Sequence, residues 1–292
     1  MNELKFICDY KHVDKYRLSF NELASNTFGI DFEKWYQKGL WNNSYICYSY
    51  ADGEKIVSNI SVSIIELIIN GQRKKAIQIG TVMTHPDYRG RGSAASLMKI
   101  VLEKYENKCE LIYLFPNVEV LDFYLKFGFI SFQESTFTKE INIDEVNKNM
   151  MRKLNISNID DLNIITKLAS ERISNSNIFG AHKAEHVLTW YAVNSFSNNI
   201  YYLEDKDIIV IFDVEGEDLN LYDVISRSEV EIDEILNRIA DCETKRVKYH
   251  FTPQHRDIGK QEKVEDPDDL LFIKGNINDI PEYFRHPITA HA

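Results

Sequence analysis

The chain has 292 residues, which is long for one compact domain and sufficient for two. Hydrophobic residues make up 44% and charged residues 27%, and with 12 Gly and 6 Pro this excludes a collagenous or low-complexity protein. The net charge of −11 is uneven: residues 1–150 carry 18 basic and 19 acidic residues, whereas residues 151–292 carry 16 and 26. This balance argues against nucleic acid as a partner and allows a cationic small molecule.

No apolar run approaches the roughly 20 residues of a membrane helix, and the N-terminus lacks a signal-peptide pattern. We therefore expect a cytoplasmic protein without membrane partners. The four cysteines form no CxxC pair, so we expect reduced, packed thiols and neither disulfide nor metal.

The first half predicts alternating strands and helices, with a hairpin turn at Asp52-Gly53. In chain order the predicted elements are strand Lys5–Asp9, helices His12–Leu23 and Phe32–Leu40, strands Tyr45–Tyr50, Lys55–Ile69 and Lys75–Thr84, helix Ser93–Glu106, strand Glu110–Phe115, helix Val118–Lys126 and one or two strands over Phe129–Ile141.

A polar segment, residues 142–152, predicts a boundary, giving domains 1–145 and 146–292. The second half repeats the order loosely, with a charged loop over 257–269. Its predicted elements are strand Lys153–Ile156, helices Ile159–Arg172 and Ala181–Tyr191, strands Tyr201–Glu204, Ile208–Val214 and Leu219–Val224, helix Val230–Ala240 and strand Val247–Thr252.

A strand, a turn rich in glycine and arginine, and the start of a helix follow one another over residues 80–98. Gly90 and Gly92 let the backbone approach a ligand closely, and the unpaired amides of a helix N-terminus favour negative charge. Arginine adds charge-assisted bonds to phosphate. The segment therefore predicts a pyrophosphate cradle, although it contains neither the Walker pattern GxxxxGK(S/T) nor the Rossmann pattern GxGxxG.

Two blocks here resemble the GNAT (Gcn5-related) N-acetyltransferases. Residues 89–94, Arg-Gly-Arg-Gly-Ser-Ala, match the family signature R/Q-x-x-G-x-G/A, and residues 117–129 match its second block, N-x(6)-Y-x-x-x-G-F. The resemblance covers residues 1–141 and implies an α/β fold with a mixed, mostly antiparallel sheet flanked by helices. The second half would be a degenerate GNAT-like α/β domain.

The resemblance also implies roles for particular residues. Tyr124 would protonate the leaving thiolate, the alternative being a core aromatic, and Asn117 would contact the coenzyme arm. The strand residues Val82, Met83 and Thr84 would offer backbone groups to the pantetheine and the thioester carbonyl. The pyrophosphate of acetyl-CoA, the implied cosubstrate, would be held by the amides of Arg89, Gly90, Arg91, Gly92, Ser93 and Ala94.

Which residue acts as the general base is left open, because the strand before the loop carries no carboxylate. His85 is more simply structural, Glu66 is a candidate on a neighbouring strand, and the amine could instead lose its proton through water. The two-part layout resembles the Eis-like acetyltransferases, in which the C-terminal carboxylate is the base. That resemblance makes the carboxylate of Ala292 a further hypothesis.

Other features predict less. His182 and His186 stand four apart on a predicted helix, but a surface or core pair is more plausible than a metal site. Between Leu221 and Glu234 there is no glycine and the acids would repel phosphate, so we expect no coenzyme A there. Cys109 is expected to pack rather than to relay an acyl group.

The sequence thus predicts an acetyl-CoA-dependent N-acetyltransferase that transfers directly to a primary amine. The acceptor would be a small molecule, cationic or aminoglycoside-like on the evidence of charge. The alternative is a non-catalytic acyl-CoA-binding or protein-interaction module. The resemblance allows a homodimer.

Overall fold

The computed structural model describes residues 3–143, 151–254, 257–264 and 270–292. Most of the predicted linker 142–152, and with it the predicted boundary between residues 145 and 146, lies outside the described residues.

The described residues of the first half form seven strands and four helices in the predicted order. In chain order they are β1 Lys5–Cys8, α1 Asp14–Phe28, α2 Glu33–Gln37, β2 Tyr45–Asp52, β3 Lys55–Ile69, β4 Gln72–Thr84, α3 Ser93–Tyr105, β5 Leu111–Leu114, α4 Leu121–Leu125, β6 Ile130–Gln133 and β7 Ser135–Glu140. A 3₁₀ turn, Pro86–Tyr88, lies between β4 and α3.

The described residues of the second half form a similar series. They are β8 Met151–Lys153, α5 Ile159–Glu171, β9 Phe179–His182, α6 Glu185–Asn194, β10 Ile200–Leu203, β11 Ile208–Glu215, β12 Asp218–Ile225, α7 Ile232–Ile239, β13 Arg246–Tyr249, β14 Lys260–Lys263 and β15 Leu270–Gly275.

The strands form two sheets, and neighbouring strands follow one another in an equivalent arrangement in both. The first runs β1-β2-β3-β4-β5-β15-β6, with β9 pairing the end of β3, and the second runs β8-β10-β11-β12-β13-β7-β14. Each sheet has one parallel pair, β4 with β5 and β12 with β13, and its other described pairs are antiparallel. The predicted fold class, two mixed α/β units built around mostly antiparallel sheets, is confirmed.

The sheets exchange strands across the predicted domain boundary. Strand β15, from the second half, lies between β5 and β6, and β7, from the first half, lies between β13 and β14. The division into 1–145 and 146–292 remains a prediction, but the hydrogen-bonded sheets do not follow it.

Three local predictions were wrong. The helix predicted over Ala181–Tyr191 is a strand followed by a helix, because β9 pairs with the far end of β3. The loop predicted over 257–269 contains β14, which pairs with β7. Strand β15 was not predicted, although its run Leu270-Leu-Phe-Ile273 is apolar and residues 271–273 are buried.

Helices cover both faces of the first sheet. Leu97, Met98 and Val101 of α3 are buried in one core cluster, while Phe20 of α1 and Trp35 of α2 belong to an aromatic cluster with part of β2. Among the described residues no helix is long and apolar enough to cross a membrane.

Candidate active site

The central feature of the site is a gap between β4 and β5. Their parallel pairing covers only Ala76–Gln78 and Leu111–Tyr113. Just beyond it, the pairing of β4 with β3 shifts by one residue, and Thr81 has a left-handed backbone with a φ of 48°. A bulge of this kind bends a strand, so β4 turns away from β5 and leaves backbone groups without a strand partner.

A buried polar network holds this bulge. The Asn59 side chain, which is fully buried on β3, donates from Nδ2 to the Thr81 carbonyl oxygen at 2.9 Å. Ser49 in turn donates to Asn59 Oδ1 at 2.7 Å, and the hydroxyls of Tyr45 and Thr81 share a hydrogen bond of 2.7 Å. Since Thr81 is hydrogen-bonded at both its carbonyl oxygen and its hydroxyl, the gap is preformed.

The gap opens into a cleft of about 780 Å³, including its open mouth. Four of the residues predicted for the site line it: Val82 on β4, Asn117 before α4, Tyr124 on α4, and Ala292 at the end of the chain. Sequence reasoning gave these four from separate parts of the chain, and the fold brings them together.

Tyr124 is 4% exposed and lies in the aromatic cluster around Phe123, Phe129 and Phe272. Tyr124 was predicted either as a proton donor in the site or as a core aromatic. The residue is part of the core cluster and also lines the cleft. No hydrogen bond to its hydroxyl is formed within the described residues. Burial raises the pKa of Tyr124 to about 12, above the ordinary value assumed from the sequence, so the phenol keeps its proton at neutral pH.

Ala292 reaches the cleft next to Gly80. Its amide donates to Oε1 of Gln78 at 2.7 Å, and the Gln78 side chain is itself fully buried. A Cβ at Gly80 would lie 2.8 Å from the Ala292 carbonyl oxygen, closer than side chains approach. A glycine inside a strand often marks such a close approach, and this was the signal in the sequence for a neighbour at Gly80.

The segment before Ala292 is anchored in both halves. The His286 amide donates to Glu134 Oε1 at 2.6 Å, and its ring bonds the Tyr113 hydroxyl at 3.0 Å. Thr289 donates to the buried carboxylate of Asp223. The position of Ala292 is therefore set by buried contacts over the preceding turn.

The glycine- and arginine-rich turn lies past the end of β4. Gly90 and Gly92 have φ values of 73° and 80°, and no atom lies within 4 Å of a Cβ built on either. Gly92 is the N-cap of α3 without a side-chain bond, so the amides of Ser93 and Ala94 lack a side-chain cap. Arg89 and Arg91 are exposed beside them. This arrangement fits an anionic group at the helix N-terminus.

Two of the predicted strand residues do not line the cleft. The Met83 side chain is buried in the aromatic cluster of α1 and α2. Thr84 bonds Ser58 through its hydroxyl and accepts at its carbonyl from Arg89 Nε at 3.2 Å. Their backbone roles remain predictions.

The alternative bases are engaged elsewhere. Glu66 lies where β3 pairs with β9, and it does not line the cleft. Burial opposes its ionisation, but hydrogen bonds from Lys183 and His182 outweigh that effect and lower the pKa of Glu66. His85 accepts from the Asp87 amide at its own turn.

His182 and His186 do not share a helix, since the first lies on β9 and the second on α6. The described residues include no group of three or more His, Cys, Asp or Glu side chains that could hold a metal. Cys109 donates to the Tyr105 carbonyl at 3.2 Å, and burial raises the pKa of its thiol, which disfavours the nucleophilic thiolate.

In the second half, the corresponding gap beyond β12 and β13 contains part of the chain. The Ile288 amide donates to the His250 carbonyl at 3.0 Å, just past the parallel pairing of these strands. The first turn of α7 carries Asp233 and Glu234, which oppose an anion there. The absence of coenzyme A binding in this half remains a prediction.

The chain's similarity to known proteins agrees with this geometry. Residues 12–131 match the family model described as an acetyltransferase (GNAT) domain. This part of the chain, less than half of its length, is therefore similar to a GNAT domain. No curated protein matches the sequence.

Solved structures extend the likeness to the second half. A protein from Enterococcus faecalis described as a probable N-acyltransferase has a TM-score of 0.62 at 14% identity, covering 94% of this chain and 72% of its own. A GCN5-related N-acetyltransferase from Kribbella flavida has a TM-score of 0.57 at 15% identity, covering 93% and 72%. Eis1 from Mycobacterium abscessus has a TM-score of 0.53 at 10% identity, covering 94% and 72%. At these identities the likeness shows the fold alone, and it includes the part of the chain that follows residue 131.

Proposed function

We propose that the protein is an N-acetyltransferase that moves an acetyl group from acetyl-CoA directly to a primary amine of a small molecule. The observation that carries this proposal is the single cleft beside the β4 bulge, which Tyr124 and Ala292 both line. Tyr124, whose hydroxyl keeps its proton, and Ala292 line the same cleft, as an acid and a base must.

Acetyl-CoA would be held by the α3 N-terminus and by the gap. The uncapped amides of Ser93 and Ala94, with Arg89 and Arg91 beside them, suit the pyrophosphate. Val82 and Asn117 line the cleft where the pantetheine arm would lie. When bound, acetyl-CoA supplies a thioester whose C–S bond breaks as the C–N bond forms.

The protein's part is to place these groups and to move two protons. The carboxylate of Ala292 accepts the proton that the amine loses, and the Tyr124 hydroxyl donates its proton to the departing sulfur. Amides of the bent strand β4 stabilise the charge that develops on the carbonyl oxygen. No side-chain nucleophile is needed, in keeping with the protonated state of Cys109.

The first experiment is a calorimetric titration with acetyl-CoA. Wild type should bind saturably, and Arg91→Glu should weaken binding by about tenfold or more because a charge-assisted contact becomes repulsive. The matched control is Lys99→Glu, which makes the same charge change at an exposed position further along α3. Absence of binding by folded wild type, or equal losses in the two variants, would refute the proposed cradle.

The second experiment tests the base. This role needs a free α-carboxylate on Ala292, which the intact mass of the natively expressed protein measures. Adding one glycine after Ala292 moves the carboxylate out of its place and should reduce thiol release about 100-fold. Ala292→Gly keeps the carboxylate and should retain most activity. Equal activity in the extended variant would exclude this carboxylate as the base.

A further inference from the structure

A second pocket, of about 590 Å³ including its opening, lies next to the cleft. The two cavities share Ile30, Thr81 and Ala292 among their lining residues. They therefore meet at the chain terminus, where the amine must stand in the proposed reaction. The pocket is placed to hold the rest of the acceptor.

Aromatic side chains from both halves of the chain line this pocket. Phe32, Trp35 and Tyr45 come from the first half, and Trp190 and Tyr191 come from α6. Phe32 contacts both tryptophans, with ring centroids 6.3 Å from Trp35 and 5.9 Å from Trp190. Such a group of rings favours contact with a further aromatic ring, and ring faces also attract an ammonium group.

The walls are fixed by their own contacts. Trp35 donates from Nε1 to Thr189 Oγ1 at 3.1 Å, which ties α2 to α6. Its ring stacks on Trp41 with centroids 5.4 Å apart, and Tyr45 is held by its bond to Thr81. A pocket with such walls loses little entropy when a rigid ligand enters.

The charges of the pocket limit its ligand to one positive group. Its lining, as far as the described residues supply it, contains no Asp, Glu, Lys or Arg side chain and two histidines, His186 and His291. His186 is 1% exposed and carries no charge, because burial lowers its pKa to about 4. The carboxylate of Ala292 is then the counter-ion for one ammonium, and each further charge of a polycation would be buried unpaired.

We propose that the acceptor is an arylalkylamine, a single primary amine on a short chain attached to an aromatic ring. The ring packs against the aromatic lining that includes Trp35 and Trp190, and the amine lies at the Ala292 carboxylate. This inference rests on the proposed function for its chemistry, but the pocket binds the amine without acetyl-CoA. It narrows the cationic acceptor expected from the acidic second half to a single positive charge, and it disfavours an aminoglycoside-like polycation because the acidic residues do not line the pocket.

The test is calorimetric binding of 2-phenylethylamine and tryptamine, compared with spermidine and kanamycin, to the whole protein. The aromatic amines should bind at least about tenfold more tightly than the polycations. Trp190→Ala should weaken their binding by about tenfold, and Trp190→Phe, which keeps a ring, should weaken it less. The control Phe6→Ala removes an exposed ring outside the pocket and should have no effect.

Equal or tighter binding of the polycations, or aromatic binding unchanged in Trp190→Ala, would overturn the proposal. Acetyl-CoA titrations of the same proteins distinguish a failure of the proposed acceptor class from a failure of the proposed transferase function. If acetyl-CoA binds and aliphatic amines are acetylated while arylalkylamines neither bind nor react, the acceptor class is wrong and the transferase stands. If arylalkylamines bind through Trp190 and acetyl-CoA does not bind, the pocket stands and the transferase fails.

Discussion

Gly80→Ala should disable the proposed base without disturbing the pyrophosphate cradle at the N-terminus of α3. Gly80 does not have a positive φ, so its backbone tolerates alanine, but the new Cβ would lie 2.8 Å from the Ala292 oxygen and 2.9 Å from its carbonyl carbon. Ordinary contacts begin near 3.4 Å, so the terminus must move by about 0.6 Å or more. A misplacement of about 1 Å can reduce a rate 100-fold, so we expect kcat to fall by about 10- to 100-fold, or about 1.4 to 2.7 kcal/mol of barrier.

The assay is thiol release from acetyl-CoA with a saturating amine, together with acetyl-CoA affinity by calorimetry. The affinity should remain within about twofold, since the α3 N-terminus is untouched. A double-mutant cycle isolates the cause: once Ala292 is deleted, Gly80→Ala should have little further effect. A kcat within about twofold of wild type, or a full additional loss in the deletion background, would refute this reasoning.

Three other changes test separate parts of the structure. Tyr124→Phe should lower thiol release by about 100-fold while leaving acetyl-CoA affinity unchanged, as measured by steady-state kinetics and calorimetry. Asp223→Ala should lower the free energy of unfolding by about 3 to 5 kcal/mol in urea titrations, because it strands Arg172, whose Nη1 lies 2.6 Å from the buried carboxylate. Burial lowers the pKa of His186 to about 4 and of His286 to about 3, so the unfolded chain binds their protons first. The free energy of unfolding should therefore fall by up to about 1.4 kcal/mol per pH unit for each histidine as the pH drops below about 6.5. In urea titrations, His186→Phe should lose the part of this pH dependence that His186 contributes.

The local structure of the first half could be predicted because its signals are local. Alternating residues, the Asp52-Gly53 turn and the helix that begins after Gly92 each depend on a few neighbouring residues. The two GNAT blocks also predicted Asn117 and Tyr124 as site residues, and both line the cleft.

What the sequence could not supply were contacts between distant residues. Gln78 and Ala292 are 214 positions apart, and neither residue type indicates the other. Glu66 was a candidate base on a strand, and no local signal indicates that β9 brings His182 to it. The aromatic pocket likewise needs α2 and α6 side by side, whereas each helix alone shows only ordinary core residues.

The exchanged strands make the two halves mutually dependent. A chain cut between residues 145 and 146 would leave one fragment with an empty slot between β5 and β6 and with β7 unpaired, while the other would carry β15 without its sheet. Each half thus completes its sheet with a strand from the other half, much as two protomers do in a domain swap. The fragments should therefore aggregate when expressed singly and reassemble when expressed together. The intact chain should unfold in a single transition, because neither sheet can lose its borrowed strand and remain whole.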